Sequence, residues 1–143
     1  MKVYKFGGAS VKNADGVRNL KYIIEGQSEL FIIVSAMGKT TNALEEVFDA
    51  YRTGALEAAQ AKIEEIAAYH QAIIDDLFGQ HHTIGQVESL ISELERFITT
   101  VPYDDSRAEE RYDRTVAFGE LISTTIISEY LAFAGVANHW VDM

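Results

Sequence analysis

An apolar stretch that begins at Val3 runs into two consecutive glycines and then into a helix signal, so that residues Val3 to Ser10 read VYKFGGAS. A strand that halts at paired glycines and passes into a helix restricts the fold to strand–turn–helix units. The glycines at positions 7 and 8 lack a Cβ, so they accept positive φ and let an anion approach the backbone N–H groups. A helix opening at Ser10 or just beyond would aim its unpaired N–H groups and positive dipole end at the same place. Lys5, alternating with Val3 along the strand, adds a full charge at the strand's end. The stretch outlines a phosphate site, and the plain alternative is a glycine-rich turn with no ligand.

The pattern then alternates between two periods. Val17, Leu20 and Ile24 repeat at helical spacing, with Asn13 or Ser10 as the cap and Gly26 at the end. Leu30 to Val34 (LFIIV) is an unbroken apolar run, as expected of a parallel strand buried on both faces. Asn42-Ala43-Leu44-Glu45 matches a capping box, with Leu44, Val47, Phe48 and Tyr51 on one face of the helix that follows. The first sixty residues therefore read β-α-β-α, the unit of a doubly wound sheet.

Two helical seams follow. Leu56, Ala59, Ile63, Ile66, His70, Ile73 and Leu77 step by three and four, as do Val87, Leu90, Leu94, Phe97 and Val101. Joined by a short loop around Gly79 to Gly85, they predict an antiparallel hairpin over about 55–101, closed by Pro102. Asp104 to Asp113 is a charged turn, and Val116 to Phe133 is apolar nearly all round, as befits a helix deep against the sheet. Gly135 ends it, and Val136 to Asp142 reads as a third strand.

Composition removes several function classes. A chain of 143 residues, nearly half of them hydrophobic, builds one domain with a real core. Its formal charge of −10 makes nucleic acid and anionic membranes poor partners. Without cysteine there is no disulfide or thiolate chemistry. An N-terminal strand with no apolar leader and no spanning stretch behind it predicts a soluble, unprocessed, cytoplasmic protein.

Two further stretches stand beside the glycine loop. Ser35 to Asn42 (SAMGKTTN) follows the second strand, and in an open parallel sheet both loops lie at the ligand-binding end. Gly38-Lys39-Thr40 invites a P-loop reading, which fails because Ile33 stands where the first P-loop glycine is required. Capping by Ser35, Thr40, Thr41 and Asn42 is the plain alternative. The other stretch is Phe118 to Thr124 (FGELIST). There Glu120 reads either as a helix-start residue satisfying free N–H groups or as a buried anion awaiting a cation, and position favours the first. His70 reads as a core histidine, and no carboxylate at ligand spacing supports a metal at His81 and His82.

Together KFGGAS, VSAMGKTTN and FGELIST, in that order and around a helical hairpin, resemble the amino-terminal portion of an aspartokinase, with Ala9 where that family usually has threonine. The resemblance covers essentially all 143 residues. It implies the amino-acid-kinase fold, an α/β αβα sandwich on a mostly parallel sheet, here truncated. It also implies phosphoryl transfer from ATP, with Mg²⁺, to the β-carboxylate of L-aspartate, opening the route to lysine, threonine and methionine. On it, Lys5, Phe6, Gly7 and Gly8 fall at the ATP phosphates, with Lys5 the catalytic charge. Ser35 and Thr41 fall at hydroxyl contacts to aspartate and Glu120 at its α-ammonium, reversing the positional preference for a helix-start residue. No metal ligand is assigned.

The resemblance places residues 1–143 as the first part of a catalytic domain whose adenine pocket and carboxylate clamp follow Met143, usually with regulatory domains and a homo-oligomeric assembly. The expected consequence is a fragment inactive alone. Two alternatives stay open: another amino-acid kinase, acting on acetylglutamate, glutamate, carbamate or UMP, and a non-catalytic helical association module built on the seam through His70.

Overall fold

The computed structural model describes residues 1–140. Strand β1 (Lys2–Phe6) leads into a single 3₁₀ turn (Gly8–Val11) and helix α1 (Ala14–Ile24), and strand β2 (Leu30–Val34) leads into α2 (Thr40–Arg52). The hairpin is α3 (Leu56–Phe78) and α4 (Gly85–Thr100); a 3₁₀ turn (Asp105–Arg107) then opens α5 (Ala108–Phe133). The expected β-α-β-α order is present. The two strands pair in parallel, with Val3 opposite Phe31, Lys5 opposite Ile33 and Phe6 opposite Val34.

Helix α1 starts where its cap dictates. The Asn13 side chain accepts the Gly16 N–H at 2.9 Å, satisfying one of the donors a helix start leaves free. The Asn42 capping box does not form. Helix α2 begins two residues earlier, at Thr40, and the Thr40 hydroxyl closes the turn by donating to the Met37 carbonyl at 2.6 Å.

The seams of α3 and α4 are spent inside the molecule. One apolar cluster joins Ile73, Ile74 and Leu77 to Ile84 and Val87, and a second joins Ala59, Ile63 and Ile66 to Leu94, Phe97 and Ile98. The end of α3 thus meets the start of α4 and the reverse, which makes the hairpin antiparallel. Core packing of this kind removes the motivation for a separate association module, since the stripe has no free face to offer.

Helix α5 crosses both clusters, with Phe118 in one and Ile122, Ile126, Ile127 and Leu131 in the other. By length and composition it would be able to cross a membrane, so a stretch of that kind does exist here. Its Phe118, Ile122, Ile126, Ile127 and Leu131 are instead occupied by the core, while Phe133 is exposed.

Two strand expectations are corrected. Tyr4, Phe6, Leu30 and Ile32 pack on the helical core, whereas Val3 is 56% and Ile33 41% exposed on the other sheet face. Among the described residues, β2 is therefore covered on one face only. Residues Val136–Trp140 are not a strand. Their polar groups bond to α5 instead of to β2: Trp140 Nε1 donates to Thr124 Oγ1 at 2.8 Å, and Ser128 Oγ donates to Asn138 Oδ1 at 2.6 Å. A cavity of about 510 Å³ separates this segment from β2. The remainder of the expected strand, Val141 and Asp142, lies outside the described residues.

Candidate active site

The loops after β1 and β2 touch through their backbones. Ser35 N–H donates to the Phe6 carbonyl at 3.0 Å, carrying the strand ladder one residue past β2. Gly38 N–H then donates to the Gly8 carbonyl, also at 3.0 Å. A Cβ on Gly8 would lie 2.7 Å from the Gly38 oxygen and 3.0 Å from that of Ala36, so only glycine permits this approach. Gly38 itself sits at φ +56°, the left-handed region that L side chains avoid.

Helix α5 joins the pair at Gly119. A Cβ there would stand 2.8 Å from Ala36 Cβ and 3.1 Å from Leu44 Cδ1, so the missing side chain lets α5 pack directly on the second loop and on α2. Three segments distant in sequence, at Gly8, Ala36–Gly38 and Gly119, thus converge at the carboxyl end of the parallel strands, where α/β sheets form crevices.

The sequence-derived site residues distribute around this contact. Gly7 precedes the 3₁₀ turn and accepts the Ser10 N–H at 3.0 Å. Phe6 contributes only its backbone, because its ring packs on the core. Lys5 is exposed on the open sheet face and takes part in none of the ion pairs among the described residues. Ser35 is half-buried beside Phe6, and Thr41 is exposed in the first turn of α2.

Glu120 does not head a helix. It lies near the middle of α5, next to Gly119, with its side chain exposed and making no hydrogen bond or ion pair among the described residues. The backbone N–H donors of its own turn are satisfied within the helix, so the helix-start account is removed.

Lys12, Lys39, Glu65 and Tyr69 escaped the sequence reading. With Gly38 and Thr40 they line a cavity of about 460 Å³ on the hairpin side of the loops. Lys39 was visible inside SAMGKTTN, but nothing in the local pattern ties it to Glu65 or Tyr69. Among the described residues no three acidic or histidine side chains gather as a metal site.

The amino acid kinase family model matches residues 1–143. The chain belongs to the amino acid kinase family. Within that family it is 30% identical over 143 residues to chloroplastic aspartokinase 1 of Arabidopsis thaliana, a match covering 98% of this chain and 25% of that protein. It is 26% identical to bifunctional aspartokinase/homoserine dehydrogenase 2 of Escherichia coli, covering 99% of this chain and 17% of that one. The amino acid kinase fold is also the one its structural neighbours share. E. coli aspartokinase III, solved in complex with aspartate and ADP, superposes with a TM-score of 0.78 at 23% identity, over 99% of this chain and 31% of that one. Clostridium acetobutylicum aspartate kinase gives 0.72 at 20% identity, over 92% and 29%. The chain spans about a quarter or less of the curated relatives described here.

Proposed function

We propose that this chain is the amino-terminal part of an aspartokinase catalytic domain, contributing to transfer of the ATP γ-phosphoryl group to the β-carboxylate of L-aspartate. The observation that carries this reading is the three-way contact of Gly8, Ala36–Gly38 and Gly119, in a chain whose sequence relatives are aspartokinases.

In this reading the backbone at Gly7 and Gly8, with Phe6 before them, cradles phosphate oxygens. Gly7, where a Cβ would meet nothing within 4 Å, leaves the approach to an anion open. Among the described residues Lys5 pairs with no carboxylate, and it supplies charge to the transferring group, whose equatorial oxygens hold negative charge throughout. Ser35 and Thr41 flank the junction with hydroxyls suited to the aspartate carboxylates. Glu120 offers its carboxylate to the α-ammonium, a role that its exposed position beside the loops permits and a buried ion pair would not. A carboxylate oxygen attacks the γ-phosphorus, the bond to the ADP oxygen breaks, and 4-phospho-L-aspartate and ADP result. Mg²⁺ accompanying the nucleotide would neutralise phosphate charge.

The wider reading follows the same family: a cytoplasmic, homo-oligomeric enzyme at the head of lysine, threonine and methionine biosynthesis. Residues 1–143 form only part of that catalytic domain, and the isolated chain is expected to release no ADP in an aspartate-dependent manner.

Titration followed through backbone amide resonances tests the assignment. Mg·ATP should shift Gly7 and Gly8, and L-aspartate should shift Ser35, Thr41 and Glu120 more than glutamate, acetylglutamate, carbamate or UMP does. A stronger response to one of those competitors would move the chain to another amino-acid kinase, and no response to Mg·ATP would remove the phosphate cradle.

A further inference from the structure

Helix α3 reaches the loop pair through one side chain. Tyr69, near the middle of α3, donates its hydroxyl hydrogen to the Lys12 carbonyl, 57 residues earlier in the chain. Lys12 closes the 3₁₀ turn that follows the two glycines. The same hydroxyl fills the space beside Gly38, where a Cβ would collide with it. One phenol therefore touches the end of the glycine turn and the apex of the serine loop together. Among the described residues it makes the only side-chain hydrogen bond from α3 to either loop.

Met37 anchors the serine loop in the core, with no exposed surface. The links between the two loops are backbone bonds such as Gly38 N–H to the Gly8 carbonyl, between glycines that have no side chains to interlock. Tyr69 is not an ordinary core residue either, since 37% of its surface is exposed. Burial of the ring raises the phenol pKa above its usual value.

We propose that Tyr69 is a positioning residue that sets the separation of the glycine turn from the serine loop, and through it the placement of phosphate relative to the acceptor. As far as it concerns phosphoryl transfer, the proposal rests on the reading above. Positioning matters at such a site because a displacement of about 1 Å can cost on the order of 10²-fold in rate.

Amide hydrogen exchange on the 143-residue chain tests it without any ligand. Tyr69→Phe keeps the ring and removes the donor. It should speed exchange at Gly38 and Ser10 by about 2- to 10-fold, the range one hydrogen bond supplies, while Ile63 and Ile122 in the core stay unchanged. A tyrosine that merely packs would leave the loop amides at their wild-type rates or raise the whole core together, and either result overturns the proposal. A second arm uses Gly38→Ala, whose Cβ meets the hydroxyl. Combined with Tyr69→Phe it should loosen the loops less than the product of the two single effects, because the hydroxyl no longer occupies that space. Multiplicative effects would contradict a shared contact. Neither arm uses nucleotide, so loss of the kinase reading and loss of the clamp are separately visible.

Discussion

The loop junction and the helical hairpin are held together by opposite means. At the junction, segments approach because side chains are missing at Gly8 and Gly119, and backbone hydrogen bonds make the contact. In the hairpin, Ile63, Ile66, Leu94 and Phe97 interlock with their side chains removed from water. Interlocked apolar packing supplies stability but leaves no open polar backbone. A junction made by missing side chains depends on its neighbours for its shape. The protein thus separates the element that holds the fold from the element that would hold phosphate.

Substitutions should divide along the same line. The largest effect on stability is expected from Ile63→Ala, which removes a fully buried side chain and should cost about 2–5 kcal/mol in urea unfolding. Its loop amides should keep their wild-type shifts. Gly8→Ala comes next. Its Cβ meets backbone oxygens that cannot rotate away, so overpacking of about 1–3 kcal/mol is expected, with the Gly38 and Ser35 amides displaced. If Gly8→Ala left those amides in place, the two regions would not differ as described. Asn13→Ala, which removes the cap of α1, should cost about 1 kcal/mol without moving the junction.

The smallest effect near neutral pH belongs to His70, which has no exposed surface. Its Nδ1–H donates to the Ile66 carbonyl at 2.7 Å, while Nε2 is buried without a partner among the described residues. Desolvation holds its pKa below the ordinary value near 6.5 despite that backbone bond. Above about pH 6.5 the ring is neutral folded and unfolded, and it contributes no pH dependence. As pH falls further the unfolded chain takes up the proton first, so stability drops until the pH passes the folded pKa and the loss levels off. Urea unfolding at pH 7.5 and 5.5 should show a smaller acid loss for His70→Leu than for wild type, and equal losses would remove this term.

Local grammar made much of the fold legible. The change from short apolar runs to three-and-four spacing located both strands and the hairpin, and Asn13 was recognisable as a cap because a cap acts within three residues. What failed depended on distant partners. Val136 to Val141 had the composition of a strand, yet pairing is decided by competition, and in the described part Asn138 and Trp140 bond to α5. Glu120 looked like a helix start because the apolar pattern begins at Val116, whereas the charged turns before it, from Ala108, belong to the same helix. The two loops that meet were legible as motifs, KFGGAS and SAMGKTTN. The Tyr69 contact was not, since a tyrosine on a hairpin gives no local sign of a carbonyl at Lys12.

The most direct test of the central claim crosses two variants with two ligands. Lys5→Ala should weaken the response of the Gly7 and Gly8 amides to Mg·ATP by about 10²-fold or more in apparent affinity, and leave that of Thr41 to L-aspartate intact. Glu120→Ala should do the reverse. That crossed pattern would establish a phosphate half and an amino-acid half meeting at the glycine junction. If both variants bound both ligands as wild type does, or if Lys5→Ala and Glu120→Ala weakened both equally, the account of this junction as a two-substrate phosphotransfer site would be contradicted.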